Sequence, residues 1–247
     1  MTETSPDEAA SPAFDVERVL RRMLAVARDQ FWRLAVIAVL VFGVPSGLYG
    51  YWLDRTEPGD WTREAASVAM LLLAVLGQST VSLISLNRSQ ALPVTLGSVL
   101  AEAWAAFPAM LAIAVLQFLG VGVGLFLLIV PGLYLAAAWS VAGPIHLVHN
   151  EGIIRSLRLS LAMTEGVRRR ILLVMLSVFL PPFLLFYLAG KIIDLVPAAE
   201  MVRTLVLEPL DGIVLPVLNG LLSASIFHEL KWGGGSVRPD ETAEVFA

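Results

Sequence analysis

Six long apolar runs, with the charges confined to the gaps between them, constrain this chain more than any other feature. Phe31–Tyr51, Ala65–Leu86, Phe107–Val130, Gly132–Val148, Ile171–Leu188 and Gly212–Phe227 are each roughly 16–24 residues long, against the roughly 20 that a helix needs to cross a bilayer core. In hydrocarbon the backbone polar groups must be satisfied inside such helices. The expected fold is therefore all-α: a polytopic transmembrane helical bundle of about six spans, with short amphipathic interfacial helices. Composition agrees, since 57% of residues are hydrophobic and only 15% charged, where a soluble domain carries about 25% charged. Residues 1–13 read as a disordered acidic N-terminus, 14–232 as the six-helix membrane domain, and the Gly-rich, then acidic stretch 233–247 as a disordered tail. Six spans consume almost all of the 247 residues, so no separate soluble catalytic domain is expected.

Charge placement sets an expected topology. Arg18, Arg21, Arg22, Arg28, Arg33, Arg88, Arg155, Arg158, Arg168, Arg169, Arg170, Lys231 and Arg238 fall on one side of six alternating spans, and only Arg55, Arg63, Lys191 and Arg203 on the other. That positive-inside bias puts both termini in the cytoplasm, and the expected location is the bacterial inner (plasma) membrane. Met1–Ala13 lacks the basic and apolar regions of a signal peptide, so insertion through the first span is expected. The basic residues flank spans rather than forming a nucleic-acid patch. With no cysteine, disulfides and thiolate metal sites are excluded.

Three connections have helical periodicity. Val16, Leu20, Met23, Ala27 and Phe31 give one apolar face before the first span; Val99, Leu100, Ala103 and Trp104 give a short one over Ser98–Ala106; Ile153, Ile154, Leu157 and Leu161 give a third over Gly152–Met163. Basic helices of this kind lie in the headgroup layer. Arg155, Arg158 and Arg168–Arg170 are accordingly candidates for contact with anionic lipid headgroups, or else topology signals alone. Gly190–Leu207 reads as a partly amphipathic re-entry.

Polar side chains inside spans are costly and mark either interhelical hydrogen bonds or a pathway. Gln78 and Ser82 in the second span, Gln117 in the third and Asn219 in the sixth are the leading candidates. Gly120 and Gly124, like Gly43 and Gly47, have the spacing of close helix contact. Pro45, Pro144, Pro181, Pro182 and Pro216 are expected to kink spans. Asp211, before the last apolar run, reads as a helix cap, and with Glu208 it offers a paired carboxylate. His146 and His149 stand three apart, a weak metal pattern. No residue set meets the demands of a catalytic site, and neither a metal nor a cofactor is expected.

Leu127-Leu128-Ile129-Val130-Pro131-Gly132-Leu133-Tyr134-Leu135, followed by Pro144 and Glu151, resembles an element of the glycerophosphodiester phosphodiesterase membrane-domain family and its bacterial relatives. Ser160, Thr164 and Gly166 before Arg168–Arg170 resemble that family's segment ahead of its fifth span, with Leu159 standing where the family has arginine and Met163 where it has leucine. Phe227-His228-Glu229-Leu230-Lys231 resembles its closing element. The likeness runs over roughly Pro93 to Lys231. It implies a helical membrane module. It does not imply a phosphodiesterase, because the soluble domain that carries that chemistry in fused members is not expected among these residues. The expected function is a non-catalytic membrane protein that interacts with lipid or with a membrane partner, which includes a second copy of itself. A small transporter or lipid-moving protein is the alternative, and an intramembrane enzyme using Glu208 and Asp211, or the histidines, comes last. A continuous polar cavity at the midplane would favour the second reading, converging carboxylates the third, and a dry bundle the first.

Overall fold

The structure, a computed structural model, describes residues 14–55, 59–87, 95–195 and 202–233; the expected disordered ends, 1–13 and 234–247, lie outside them. All of its regular elements are helical. The described residues contain six helices long and apolar enough to cross a membrane: Phe31–Trp52, Trp61–Asn87, Leu96–Leu127, Ile129–His149, Arg168–Ile193 and Pro209–Trp232. This is a multi-pass membrane protein.

Helix α1 (Val16–Asp29) starts at Asp15, whose carboxylate accepts from the Glu17 amide at 2.9 Å, and carries Glu17 in its first turn and Arg28 in its last. Both charges complement the helix dipole. Its buried residues are Val19, Met23 and Val26, packed on protein. The expected face was centred one position away: Val16, Leu20 and Ala27 only flank the contact, and Phe31 is exposed. The helix therefore turns the middle of its apolar face to the bundle and not to lipid.

The first span consists of α2 (Phe31–Ile37), a π-helical turn (Ala38–Gly43) and α3 (Val44–Arg55). Pro45 has no amide to donate, and its ring crowds the carbonyl of Val41. A wider turn just ahead of it accommodates both effects without breaking the helix. A second π turn, Arg203–Leu207, lies ahead of Pro209 in the same way and runs straight into the last helix. As a result Leu207 is the N-cap of that helix, and Asp211 stands inside it. The expectation that Asp211 caps the helix is corrected.

Helix α4 (Asp60–Asn87) forms the second span. Helix α5 (Leu96–Leu127) is one continuous helix of 32 residues, capped by the Thr95 side chain and running through Pro108. The separate surface helix expected over Ser98–Ala106 is thus the beginning of the third span. At 1.5 Å per residue α5 is about 48 Å long, more than the roughly 30 Å bilayer core, so its first turns project beyond the hydrocarbon.

The fourth span is broken. Helix α6 (Ile129–Ala138) follows α5 after a single extended residue, Leu128, and α7 (Ala142–His149) follows a turn at Trp139–Val141. Pro131 and Pro144 each fall in the first turn of their helix, where the missing amide costs nothing. They start helices and do not kink them, whereas Pro181, Pro182 and Pro216 lie inside helices. Helix α8 (Ile153–Met163) is followed by a turn in which Gly166 has φ +76°, a left-handed conformation that favours glycine. Helices α9 (Arg168–Ile193) and α10 (Glu208–Trp232) complete the bundle.

Helix α10 packs on α4, α1, α9 and α7, while α5 packs on α4 and α6. Two backbone approaches set these contacts. A β-carbon on Gly124 would stand 2.7 Å from the Gly132 α-carbon, and one on Gly220 would stand 2.8 Å from Val81 and 3.0 Å from the Gln78 carbonyl. Gly120 faces the Trp139 ring. The expected close packing at Gly120 and Gly124 is present, with α6 as the partner. At one end of the bundle Arg18 pairs with the buried Glu229 at 2.7 Å, Arg170 donates to the Phe14 carbonyl at 2.7 Å, and Lys231 meets His149 at 3.0 Å. The start of α9 and the ends of α7 and α10 therefore share the end that α1 covers.

Candidate functional site

The break in the fourth span lies beside a cavity of about 270 Å³. Helix α4 contributes Gln78 and Ser82, α5 contributes Gln117, α10 contributes Asn219 and Ser223, and the break contributes Trp139 and Ser140. The four intramembrane candidates of the sequence, Gln78, Ser82, Gln117 and Asn219, thus converge on one site. Val75, Met110, Ile113, Met175 and Leu222 supply apolar wall. Trp139 and Asn219 each stand near the middle of their spans, Ile129–His149 and Pro209–Trp232, so the cavity lies at mid-span. Phe118, which also lines it, is 78% exposed. The cavity therefore meets the lipid-facing surface along α5.

Hydrogen bonding within the wall is incomplete. Gln117 donates its amide to the Trp139 carbonyl. Ser82 and Ser223 both donate to the Gly220 carbonyl at 3.3 Å, and Ser140 donates to the Ala137 carbonyl at 2.8 Å. The serine protons are thereby committed to backbone, and their oxygens face the cavity as acceptors. The side chains of Gln78 and Asn219 make no hydrogen bond to another described residue, and the buried Nε1 of Trp139 has no partner. Both amides are half-buried, and, lining one largely apolar space, they make a site that water or a ligand fills. Among the described residues no ionisable side chain lines it, so a charged guest would find no counter-ion from them in a medium where one is needed.

The residues that carry the family likeness hold the frame of this site. Pro131 starts α6, and Gly132 lies against Gly124. Tyr134 lies under the Arg168 guanidinium, 4.5 Å from its ring centre, and its hydroxyl bonds Arg168. Pro144 starts α7. The Glu151 carbonyl meets His146 Nδ1 at 2.6 Å, and its carboxylate pairs with Arg155 at 3.2 Å. Ser160 and Thr164 donate to the Ala138 carbonyl at 2.8 and 3.3 Å. Gly166 turns the chain, and Glu229 anchors α1 through Arg18, whose pKa it raises by hydrogen bonding and charge, against the lowering by desolvation.

The candidate arginines divide into two groups. Arg155 is paired with Glu151; Arg168 bonds the Leu161 carbonyl at 2.7 Å and Tyr134; Arg170 holds Phe14. Arg158 and Arg169 are exposed. Helix α8 buries Ser156, Leu157, Leu159 and Ser160 and leaves Ile154 exposed, which corrects the expected face of Ile153, Ile154, Leu157 and Leu161. Its polar serines are on the buried side because they serve backbone carbonyls there. His146 and His149 do not converge: the first meets Glu151, the second Lys231, and the described residues hold no metal-binding cluster. The Glu208 side chain lies outside the described residues. Asp211 lines a separate space of about 430 Å³ near Lys191, Asp194 and Arg203, where Arg203 pairs with Asp194 at 3.0 Å.

Trp139 and Ser140 are the wall residues that sequence reasoning missed. The signal was Pro144, which lies four residues after Ser140 inside an otherwise unbroken apolar run. No family model, curated protein or solved structure matches this chain.

Proposed function

We propose that this protein is a non-catalytic membrane protein whose central cavity takes the uncharged polar end of a membrane amphiphile. The observation that carries the reading is the convergence of Gln78, Gln117 and Asn219 on one space without an ionisable neighbour among the described residues. Amides offer donors and acceptors to hydroxyl, ester or amide groups, and the opening beside Phe118 lets such a guest enter from the lipid phase. Movement of that guest across the bilayer is the second reading, favoured by the polar cavity at mid-span and by the break beside it, since discontinuous helices are the usual walls of transport sites. Arg158 and Arg169 remain candidates for anionic headgroups. The arginine asymmetry supports cytoplasmic termini in a bacterial inner membrane. Kinship with the glycerophosphodiester phosphodiesterase membrane-domain family is part of the proposal, supported by the structural work of Pro131, Gly132, Ser160, Thr164 and Glu229.

The test uses Gln78→Met with Asn219→Leu, which keeps volume and removes both unpartnered amides. Losing two hydrogen bonds of about 1 kcal/mol each lowers retention of co-purifying uncharged amphiphile, read by native mass spectrometry, by roughly thirtyfold. Thermal stability holds, because neither half-buried amide bonds another described residue. Unchanged retention in the folded double variant defeats the reading.

A further inference from the structure

We infer that Ser160, seconded by Thr164, is a positioning residue for the cavity: from the neighbouring helix α8 it holds the break of the fourth span in the shape that forms the cavity wall. In an unbroken helix the Ala138 carbonyl accepts from the amide of Ala142. Here that amide turns to the Trp139 carbonyl instead, at 3.2 Å, and the Ala138 carbonyl is released deep in the bundle. A carbonyl without a partner there is costly, and the hydrocarbon around the bundle offers no donor to relieve it. Ser160 Oγ reaches it at 2.8 Å and Thr164 Oγ1 at 3.3 Å. Both residues have no solvent exposure.

The two hydroxyls are not equivalent. Thr164 has one proton and three carbonyls in reach, Ser160 at 2.8 Å, Ala138 at 3.3 Å and Leu161 at 3.3 Å. Ser160 has Ala138, and is the principal donor. The neighbouring carbonyl, that of Trp139, is held from another helix by Gln117. Consecutive carbonyls of one turn are thus fixed from α8 and from α5, and Trp139 and Ser140, which that turn presents, are cavity wall. Arg168 completes the latch. It donates to Thr164 Oγ1 at 3.4 Å and to the Leu161 carbonyl, and it reaches Tyr134 on α6. The helix that follows the fourth span is in this way joined by hydrogen bonds to the break within it.

Ser160→Ala removes the donor and adds no bulk. In the full chain in lipid nanodiscs, amide exchange of the peptide covering 137–143 should rise about tenfold. Ser160→Thr, which keeps the hydroxyl, should stay within about twofold of the parent, and the α4–α10 crossing should be unchanged in both. No rise in Ser160→Ala, an equal rise in Ser160→Thr, or an equal rise at the crossing overturns the inference; so does failure of Ser160→Ala to fold, since the role is then general to the structure. The exchange readout does not depend on any guest. The inference rests on the cavity as a binding site only in its last step, which predicts that Ser160→Ala also lowers amphiphile retention. Retention kept in Ser160→Ala but lost in Gln78→Met/Asn219→Leu overturns the positioning role. Retention kept in both variants defeats the binding reading, while exchange still decides the latch.

Discussion

The first and fourth spans meet the same difficulty and resolve it differently. In each, a proline withdraws an amide from the helix and crowds the carbonyl four residues earlier. Ahead of Pro45 the first span widens by one π turn, remains continuous and seats Phe42 against Gly77 of α4. Ahead of Pro144 the fourth span opens at Trp139–Val141, and its loosened carbonyls are taken by Ser160, Thr164 and Gln117. The widened turn asks nothing of other helices. The opened turn depends on side chains from two of them, and it is the one that borders a polar cavity. The opened turn marks a site because a hydroxyl pair from α8 and an amide from α5 hold the carbonyls of Ala138 and Trp139.

The sharpest way to break this contrast is at the pivot of the opened span. Gly124→Leu places its first carbon 2.7 Å from the Gly132 α-carbon, backbone against backbone, where nothing flexible can yield. Destabilisation of about 3 kcal/mol is expected, read as a fall in thermal midpoint in detergent. Gly122, two residues earlier on the same helix, has open space where a β-carbon would be. Gly122→Ala should stabilise by about 0.5–1 kcal/mol through helix propensity. Equal effects at the two positions would remove the pivot from the account.

A smaller effect separates the prolines themselves. Pro144→Ala restores an amide that can reach the Ser140 carbonyl and lets the helix run through the break, drawing Trp139 and Ser140 out of the cavity wall. Retention of the amphiphile should fall roughly tenfold, with stability altered by about 1 kcal/mol or less. Pro45→Ala should alter stability by as little and leave retention intact. Equal retention in the two variants would erase the distinction between the widened and the opened turn.

The mildest change tests where the headgroup layer acts. Arg158→Ala with Arg169→Ala removes two exposed cations, each worth about 1 kcal/mol near an anionic surface. Anionic lipid carried through purification should decline, and exchange at 137–143 should stay as it was. A rise in exchange at the break would mean that these arginines, and not Ser160, set the latch.

Six spans were legible because hydropathy and arginine placement act over whole segments, and Gly120 and Gly124 were legible because close approach demands a missing side chain. The cavity residues could be nominated from sequence, since Gln78, Gln117 and Asn219 are expensive in hydrocarbon wherever they point. Their convergence could not, because it depends on the relative rotation of α4, α5 and α10. The break escaped notice because Ile129–Ala138 and Ala142–His149 are both apolar, and a run of hydropathy does not register a turn between them. The buried side of α8 was not legible for the opposite reason: hydropathy gives Ser156 and Ser160 no cause to turn inward, and their partners, the carbonyls of Glu151 and Ala138, are known only from the fold.

The order of synthesis adds a consequence to the latch at Ala138. The fourth span is the least apolar of the six, and the groups that complete it, Ser160 and Thr164, leave the ribosome only after the span itself has been made. Until α8 follows, the fourth span has a bare carbonyl and weak affinity for hydrocarbon. Its seating must therefore wait for α8, with α5 already in place.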